Sequence, residues 1–349
     1  MSTFFKDFVD EIKDEDTNIA ADGKSAAEFS GWIDTGCYIL NAQLSGTIHG
    51  GVPNNKITAF AGESGTGKSF LVLGVVKTFL KNNPDAFVVY YDTEAAITKD
   101  MMESRGIDTT RVVISEPATI QHFRTKALKV LNAYIKTEEN KRPPMMMVLD
   151  SLGMLSSDKE LTDTAEGKDT RDMTKAQLIR ATFRVLTLKL AKAKVPMLLT
   201  AHTYQAVGAY IPTSVVSGGG GLIYAASTII MLSSKKDRDN EKHIVGNIIV
   251  MEQSKGRLAK RYSKVEAKLS YDTGLDQYYG LLDLAEKHGV IKKVSTRYEM
   301  PDGTKVFGKN INEEPEKYFT KDILELIDDA AKKEFLYGTT EDPVESEVE

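Results

Sequence analysis

The octet Gly62-Glu63-Ser64-Gly65-Thr66-Gly67-Lys68-Ser69 fits the spacing of a phosphate-binding loop. A polyphosphate needs several converging N–H donors, and a glycine-rich turn entering a helix supplies them because glycine lets the backbone come close. Gly62, Gly65 and Gly67 give that freedom here, with Glu63, Ser64 and Thr66 completing the turn. Lys68 is then placed for the β and γ phosphates of ATP, and the Ser69 hydroxyl for magnesium. Magnesium needs a second protein contact from a carboxylate at the end of a neighbouring strand. Met145-Met146-Met147-Val148-Leu149-Asp150 is an apolar run ending in an acid, which selects Asp150 over a mere cap of the next segment. Hydrolysis also needs a carboxylate that orients or deprotonates water, and Tyr90-Tyr91-Asp92-Thr93-Glu94 ends another strand candidate. Glu94 is preferred as the base, with Asp92 its rival. His202 follows the run Met197 to Ala201 and emerges at the same edge, just before a long segment. Its position suits either a structural role or a link between phosphate and that segment.

Two long segments and one basic run complete the candidates. The segment 203–221 contains Tyr204 and ends in Ser217-Gly218-Gly219-Gly220-Gly221, with no lysine or arginine. It can bind a strand through backbone N–H groups and apolar wedges, or serve only as a connector. The segment 156–172 reads as a solvated loop by its charge. Lys168 and Arg171 within it, joined by Lys175 and Arg180 on the next helix, make a basic side that fits DNA phosphates. Lys255 and Arg257, in the densest basic run of the chain, are either a solvated face or a cation pair offered to a neighbouring subunit's nucleotide.

These residues need rigid elements behind them. From Lys56 onward, apolar β-rich runs alternate with helical patterns: Ile57 to Ala61, Val88 to Tyr91, Val112 to Ile114, Met145 to Leu149, Met197 to Thr200 and Thr228 to Leu232, with helices over Lys68 to Lys81 and Ile120 to Lys136. Buried parallel strands joined by long crossovers give this pattern, so the expected fold is α/β, a doubly wound core around a mostly parallel twisted sheet. Phe4, Phe5, Phe8, Val9 and Ile12 mark a short amphipathic N-terminal helix, which packs either on its own core or on another subunit. The expected division is a helix and linker over 1–30, the ATPase core over 31–271, a small α+β domain over 272–338 and an acidic tail over 339–349. In the small domain, helices fall near Gly280 to Lys287 and Lys321 to Phe335, and an Asp302-Gly303 turn separates two short strands.

With 349 residues, 41% hydrophobic content and one cysteine, the chain reads as a globular protein of a reducing compartment, without a disulfide framework. No apolar run is long enough to span a bilayer and the N-terminus has no signal-peptide pattern, so the expected location is cytoplasmic, with no membrane partner. The net charge of −5 excludes an indiscriminate nucleic-acid binder; any DNA site is local.

The order of these motifs resembles the RecA family of DNA strand-exchange ATPases, above all its phage, UvsX-like members. The likeness is carried by Leu44-Ser45-Gly46 with Gly50-Gly51, Tyr91-Asp92-Thr93-Glu94, Asp150-Ser151-Leu152-Gly153, Asp172-Met173-Thr174-Lys175-Ala176, His202-Thr203-Tyr204 and Gly280-Leu281-Leu282-Asp283, from about Phe29 to Gly289. The resemblance implies a helical filament on single-stranded DNA that pairs with double-stranded DNA, with ATP and magnesium held between protomers and with single-strand-binding and loader proteins as possible partners. It implies Glu94 as catalytic base, His202 as γ-phosphate sensor and the segments 156–172 and 203–221 as DNA loops. Lys255 and Arg257 would meet the adjacent protomer's nucleotide, the N-terminal helix would dock on a neighbour, and a phage-encoded member would act in host cytoplasm. Two positions depart from the pattern: Ala201 stands where relatives place asparagine, and Met101 where relatives often carry a tyrosine near the adenine. A regulatory or repair-accessory ATPase of the same fold, without strand exchange, is the alternative.

Overall fold

The computed structural model describes residues 3–14, 17–23, 25–28, 31–168, 173–205, 214–239 and 241–338. Ten strands form the central sheet: β1 (Ile57–Gly62), β2 (Phe87–Asp92), β3 (Val112–Ser115), β4 (Met145–Asp150), β5 (Met197–Gln205), β6 (Ser214–Val216), β7 (Thr228–Arg238), β8 (Ile244–Gly256), β9 (Lys264–Ser270) and β10 (Gly274–Leu275). Their order is β10-β9-β8-β7-β1-β5-β4-β2-β3, with β6 beside β5. From β7 to β3 every pairing is parallel, and β8 to β10 extend the sheet antiparallel.

The apolar runs become the central strands because both faces of the sheet are covered. Every residue of β1 and β4 is buried. Alternate residues supply two separate cores: Phe60, Tyr90, Met146 and Val148 face one, Ala59, Tyr91, Met147 and Leu149 the other. The first core holds helices α2 (Tyr38–Ser45) and α3 (Lys68–Asn82); the second holds α4 (Ile120–Tyr134) and α6 (Lys175–Ala193). Helix α1 (Thr3–Ile12) forms as its periodicity requires, and it leaves Phe4, Phe5, Phe8 and Ile12 exposed.

Two segments read as loops are helical. Within 156–172 lies α5 (Asp158–Ala165), nucleated by a capping box in which the Ser157 side chain accepts from Glu160 N and Glu160 reaches back to Ser157 N. The glycine run of 217–221 opens α7 (Gly219–Ala225), with Gly218 as a left-handed N-cap at φ 90°. Tyr204 belongs to β5, which pairs antiparallel with β6. The connection 206–213, Arg171 and the acidic tail 339–349 lie outside the described residues.

Beyond β10, helices α8 (Leu281–Lys287) and α9 (Lys321–Phe335) and a three-stranded antiparallel sheet (Lys292–Val294, Arg297–Glu299, Lys305–Phe307) form the small α+β part. Leu281, Ile327 and Phe335 share the buried cluster of Ile39, Leu40 and Leu44, so α2 ties both parts together. Asp328 on α9 fixes the contact: it accepts from Thr47 Oγ1 at 2.5 Å and Ile48 N at 2.9 Å, and pairs with Lys332 at 2.8 Å. Burial raises the Asp328 pKa, but the donors Lys332, Thr47 and Ile48 outweigh it and hold the carboxyl below its usual value.

Replacing Asp328 with alanine leaves buried donors unpaired and is expected to lower stability by about 2 kcal/mol in urea unfolding near pH 7. A depressed carboxylate pKa stabilises above the unfolded value and loses that contribution as pH falls through the folded value. The difference between wild type and D328A therefore shrinks in acid, below the ordinary carboxylate range.

Candidate active site at the C-terminal edge of the sheet

Strand register brings the candidates together. Gly62 at the end of β1 pairs with His202 of β5, and Asp92 at the end of β2 pairs with Asp150 of β4. Four strand ends therefore finish at one level, where ligands of open α/β sheets bind.

The phosphate loop leaves β1 and enters α3 at Lys68. Gly65 (φ 77°) and Gly67 (φ 89°) adopt the left-handed conformation that glycine tolerates. At Gly62 any Cβ would lie 2.7 Å from the Leu232 carbonyl oxygen, so only glycine fits there. Lys68 is buried and donates from Nζ to the carbonyls of Gly62 at 3.0 Å and Glu63 at 2.8 Å. Burial lowers its pKa, and the carboxylates of Glu94 and Asp150 oppose that shift. One cation and two carboxylates thus act on each other across the cleft.

Asp150 is buried, accepting from the Tyr90 hydroxyl at 2.7 Å and from the Thr200 hydroxyl. Both donors are neutral, so the carboxylate keeps its charge and its remaining lone pairs. With Ser69 in the first turn of α3, this donor set suits a magnesium ion held through oxygen and water.

Glu94 follows β2, and a single oxygen of its carboxylate, Oε1, accepts from Ser151 Oγ at 2.7 Å and meets His202 Nε2 at 2.9 Å. Partial burial raises the Glu94 pKa. The hydrogen bonds of His202 and Ser151 and the charges of His202 and Lys68 outweigh that effect and leave the carboxyl below its usual value. Asp92 is placed differently. It is 2% exposed, and its two oxygens accept from Glu94 N at 3.1 Å and Ile97 N at 3.0 Å, which shapes the turn carrying Glu94. Sequence reasoning assigned Ser151 no role. Serine after a strand-ending aspartate is a common type in a common place, and only the fold shows that its hydroxyl meets a carboxylate from another strand. A second reciprocal pair, Thr93 Oγ1 to Ser151 O at 2.7 Å and Ser151 N to Thr93 Oγ1 at 2.8 Å, locks the two strand ends.

His202 also connects outward. Its carbonyl accepts from Ser217 N at 2.8 Å, where β5 and β6 pair and α7 begins. Gly220 lies beside Arg180 of α6: a Cβ there would stand 3.6 Å from the guanidinium. Lys168 pairs with Glu166 at 2.5 Å and Lys175 with Glu160 at 3.1 Å, while Tyr204 is exposed. Lys255 and Arg257 sit together at the last carbonyls of α7. Lys255 Nζ donates to the Ile223 carbonyl, and Arg257 Nη2 donates to that of Tyr224 at 3.1 Å. Burial, then the charges of Arg257 and Arg261, lower the Lys255 pKa to about 8. Glycine run and cation pair therefore occupy opposite ends of one short helix.

The family model described as the RecA N-terminal domain matches residues 16–276. Over 255 residues the chain is 31% identical to the recombination and repair protein of Enterobacteria phage T4, a match covering 73% of this chain and 63% of that protein. The chain thus spans less than two thirds of that relative. It is 25% identical over 263 residues to Protein RecA of Mycoplasmopsis pulmonis, covering 75% of this chain and 73% of the relative. The crystal structure of the RadB recombinase superposes with a TM-score of 0.52 at 17% identity, covering 70% of this chain and 99% of that one. With the phosphate loop, the aligned carboxylates and the match over most of its length, this chain belongs to the RecA family.

Proposed function

We propose that this protein is an ATP-dependent DNA recombinase, which assembles on single-stranded DNA and pairs it with homologous duplex while hydrolysing ATP to ADP and phosphate. The observation carrying the chemistry is the clamp on Glu94: two donors hold one carboxylate oxygen and orient the other for a water molecule. Glu94 takes the proton of that water as its oxygen attacks the γ phosphorus and ADP departs. Lys68, surrounded by loop carbonyls, turns to the phosphate oxygens and stabilises their charge. Magnesium, held by Ser69 and Asp150, neutralises further charge on the β and γ phosphates when bound.

The DNA role is supported by the path from Glu94 through His202 to Ser217 and the glycine run, with Arg180 alongside. Lys168, Arg171, Lys175, Arg180, Tyr204 and Gly218 to Gly220 are assigned to DNA, and Lys255 and Arg257 to the nucleotide of the next protomer. The exposed apolar face of α1 suits docking on that protomer. The division into an N-terminal helix and linker, a core over 31–271, a C-terminal part over 272–338 and a tail is retained as part of this proposal. No helix among the described residues is long and apolar enough to cross a membrane. The proposal places the protein in the cytoplasm, that of the host if phage-encoded.

The direct test of recombinase activity is joint-molecule formation between single-stranded DNA and homologous supercoiled duplex with magnesium and ATP. Products are expected with homologous duplex only, and their absence with active ATPase would indicate a regulatory ATPase. Glu94→Gln is expected to lower turnover by about 100- to 1,000-fold while ATP affinity holds; equal loss of both would remove Glu94 from the base role. Ser151→Ala deletes a donor to a depressed carboxylate, so the Glu94 pKa rises and the acid limb of the pH–kcat profile moves to higher pH. Deleting residues 1–14 is expected to abolish filaments in electron micrographs without lowering the melting temperature, since the apolar face of α1 remains exposed in the single chain.

A further inference from the structure

The phosphate loop accounts for the triphosphate of a nucleotide and leaves its base without a partner. The first turn of α3 carries Phe70, two residues beyond Lys68, or about 3 Å along the helix axis. Its side chain is 38% exposed, an unusual place for a large aromatic on a helix whose other apolar residues Leu71, Val72 and Leu73 are buried. Over its ring, 4.4 Å from the centroid, lies the Arg105 guanidinium. Arg105 is itself held flat: Nη1 donates to the Met101 carbonyl at 2.8 Å.

The support beneath this stack is rigid. Met101 opens the short helix Lys99–Glu103, capped by the Thr98 side chain, and the neighbouring Met102 and Ile107 are buried in the first core. Ile107 N donates to Met102 O at 3.1 Å, and Gly106 at φ 75° makes the turn. The segment begins at Glu94 and Ile97, whose N–H groups Asp92 fixes. One buried aspartate therefore sets both the hydrolytic carboxylate and the entry to this platform.

Resting on the nucleotide reading above, we infer that Phe70 and Arg105 form the nucleobase subsite, a planar aryl–guanidinium platform that stacks the purine of ATP beside the phosphate loop. A flat guanidinium has a π face and five fixed donors, so it can stack on a base and on phenylalanine at once, which a lysine cannot do. Stacking recognises the heterocycle and ignores the phosphates, and this separates the subsite from the loop by experiment.

The test is calorimetric titration of the full chain, in magnesium, with ATP and with inorganic tripolyphosphate, which shares the phosphates and lacks nucleoside. Wild type is expected to bind ATP more tightly than tripolyphosphate. F70A and R105A are expected to weaken ATP by about five- to twenty-fold, a typical loss for one base stack, and to leave tripolyphosphate within about two-fold. R105K, which keeps the charge and loses the plane, is expected to behave as R105A; F70L guards against a packing defect and is also expected to weaken ATP alone. If ATP and tripolyphosphate weaken together, or ATP affinity is unchanged, the platform is overturned while the phosphate loop stands. If wild type binds neither ligand, the nucleotide reading fails and the platform with it.

Discussion

Parallel pairing of β1, β5, β4 and β2 in register is the constraint from which the rest of this structure follows. Gly62 level with His202, and Asp92 level with Asp150, set four different chemical groups at one edge without any of them being near the others in sequence. Parallel strands need long crossovers, and each crossover helix seals a sheet face with apolar side chains. The two cores formed in this way hold the edge rigid, and it is this rigidity that lets a serine and a histidine from separate strands meet one carboxylate oxygen.

That meeting point has a consequence for regulation. Charge-assisted hydrogen bonds are the stronger kind, and Glu94 accepts its bond from His202 at the root of the β5–β6 hairpin. A ligand that shifts the hairpin changes the environment of Glu94, and nucleotide acting on Glu94 shifts the hairpin by the same free energy. At the far end of α7, Lys255 and Arg257 bind the last carbonyls, where cations are favoured by the helix dipole. The account thus joins DNA loops, hydrolytic carboxylate and intersubunit cations through one hairpin and one short helix.

Much of this was legible in the sequence because it rests on local rules. The phosphate loop declares itself through glycine spacing, and the β1, β2 and β4 runs through continuous apolar stretches ending in Gly62, Asp92 and Asp150. α9 was legible to its ends, over Lys321–Phe335. α5 was hidden by its charge: the Ser157–Glu160 capping box is in the sequence, but the helix buries no residue and so has no apolar stripe to announce it. α7 was hidden by glycine, whose low helix propensity is overridden by packing of Leu222 and Gly221 against α6. The choice between Glu94 and Asp92 was not legible at all, since both follow one strand and only burial shows that Asp92 serves the backbone.

The claim on which the account stands is that DNA and the hydrolytic carboxylate are coupled through His202 and its hairpin. The rate of ATP hydrolysis, measured with and without long single-stranded DNA, tests it most directly. The account predicts slow turnover alone and a clear, saturable rise as single-stranded DNA is added. Turnover that is active yet indifferent to DNA at every concentration would contradict it, leaving a nucleotide site without the coupling that the hairpin is argued to provide.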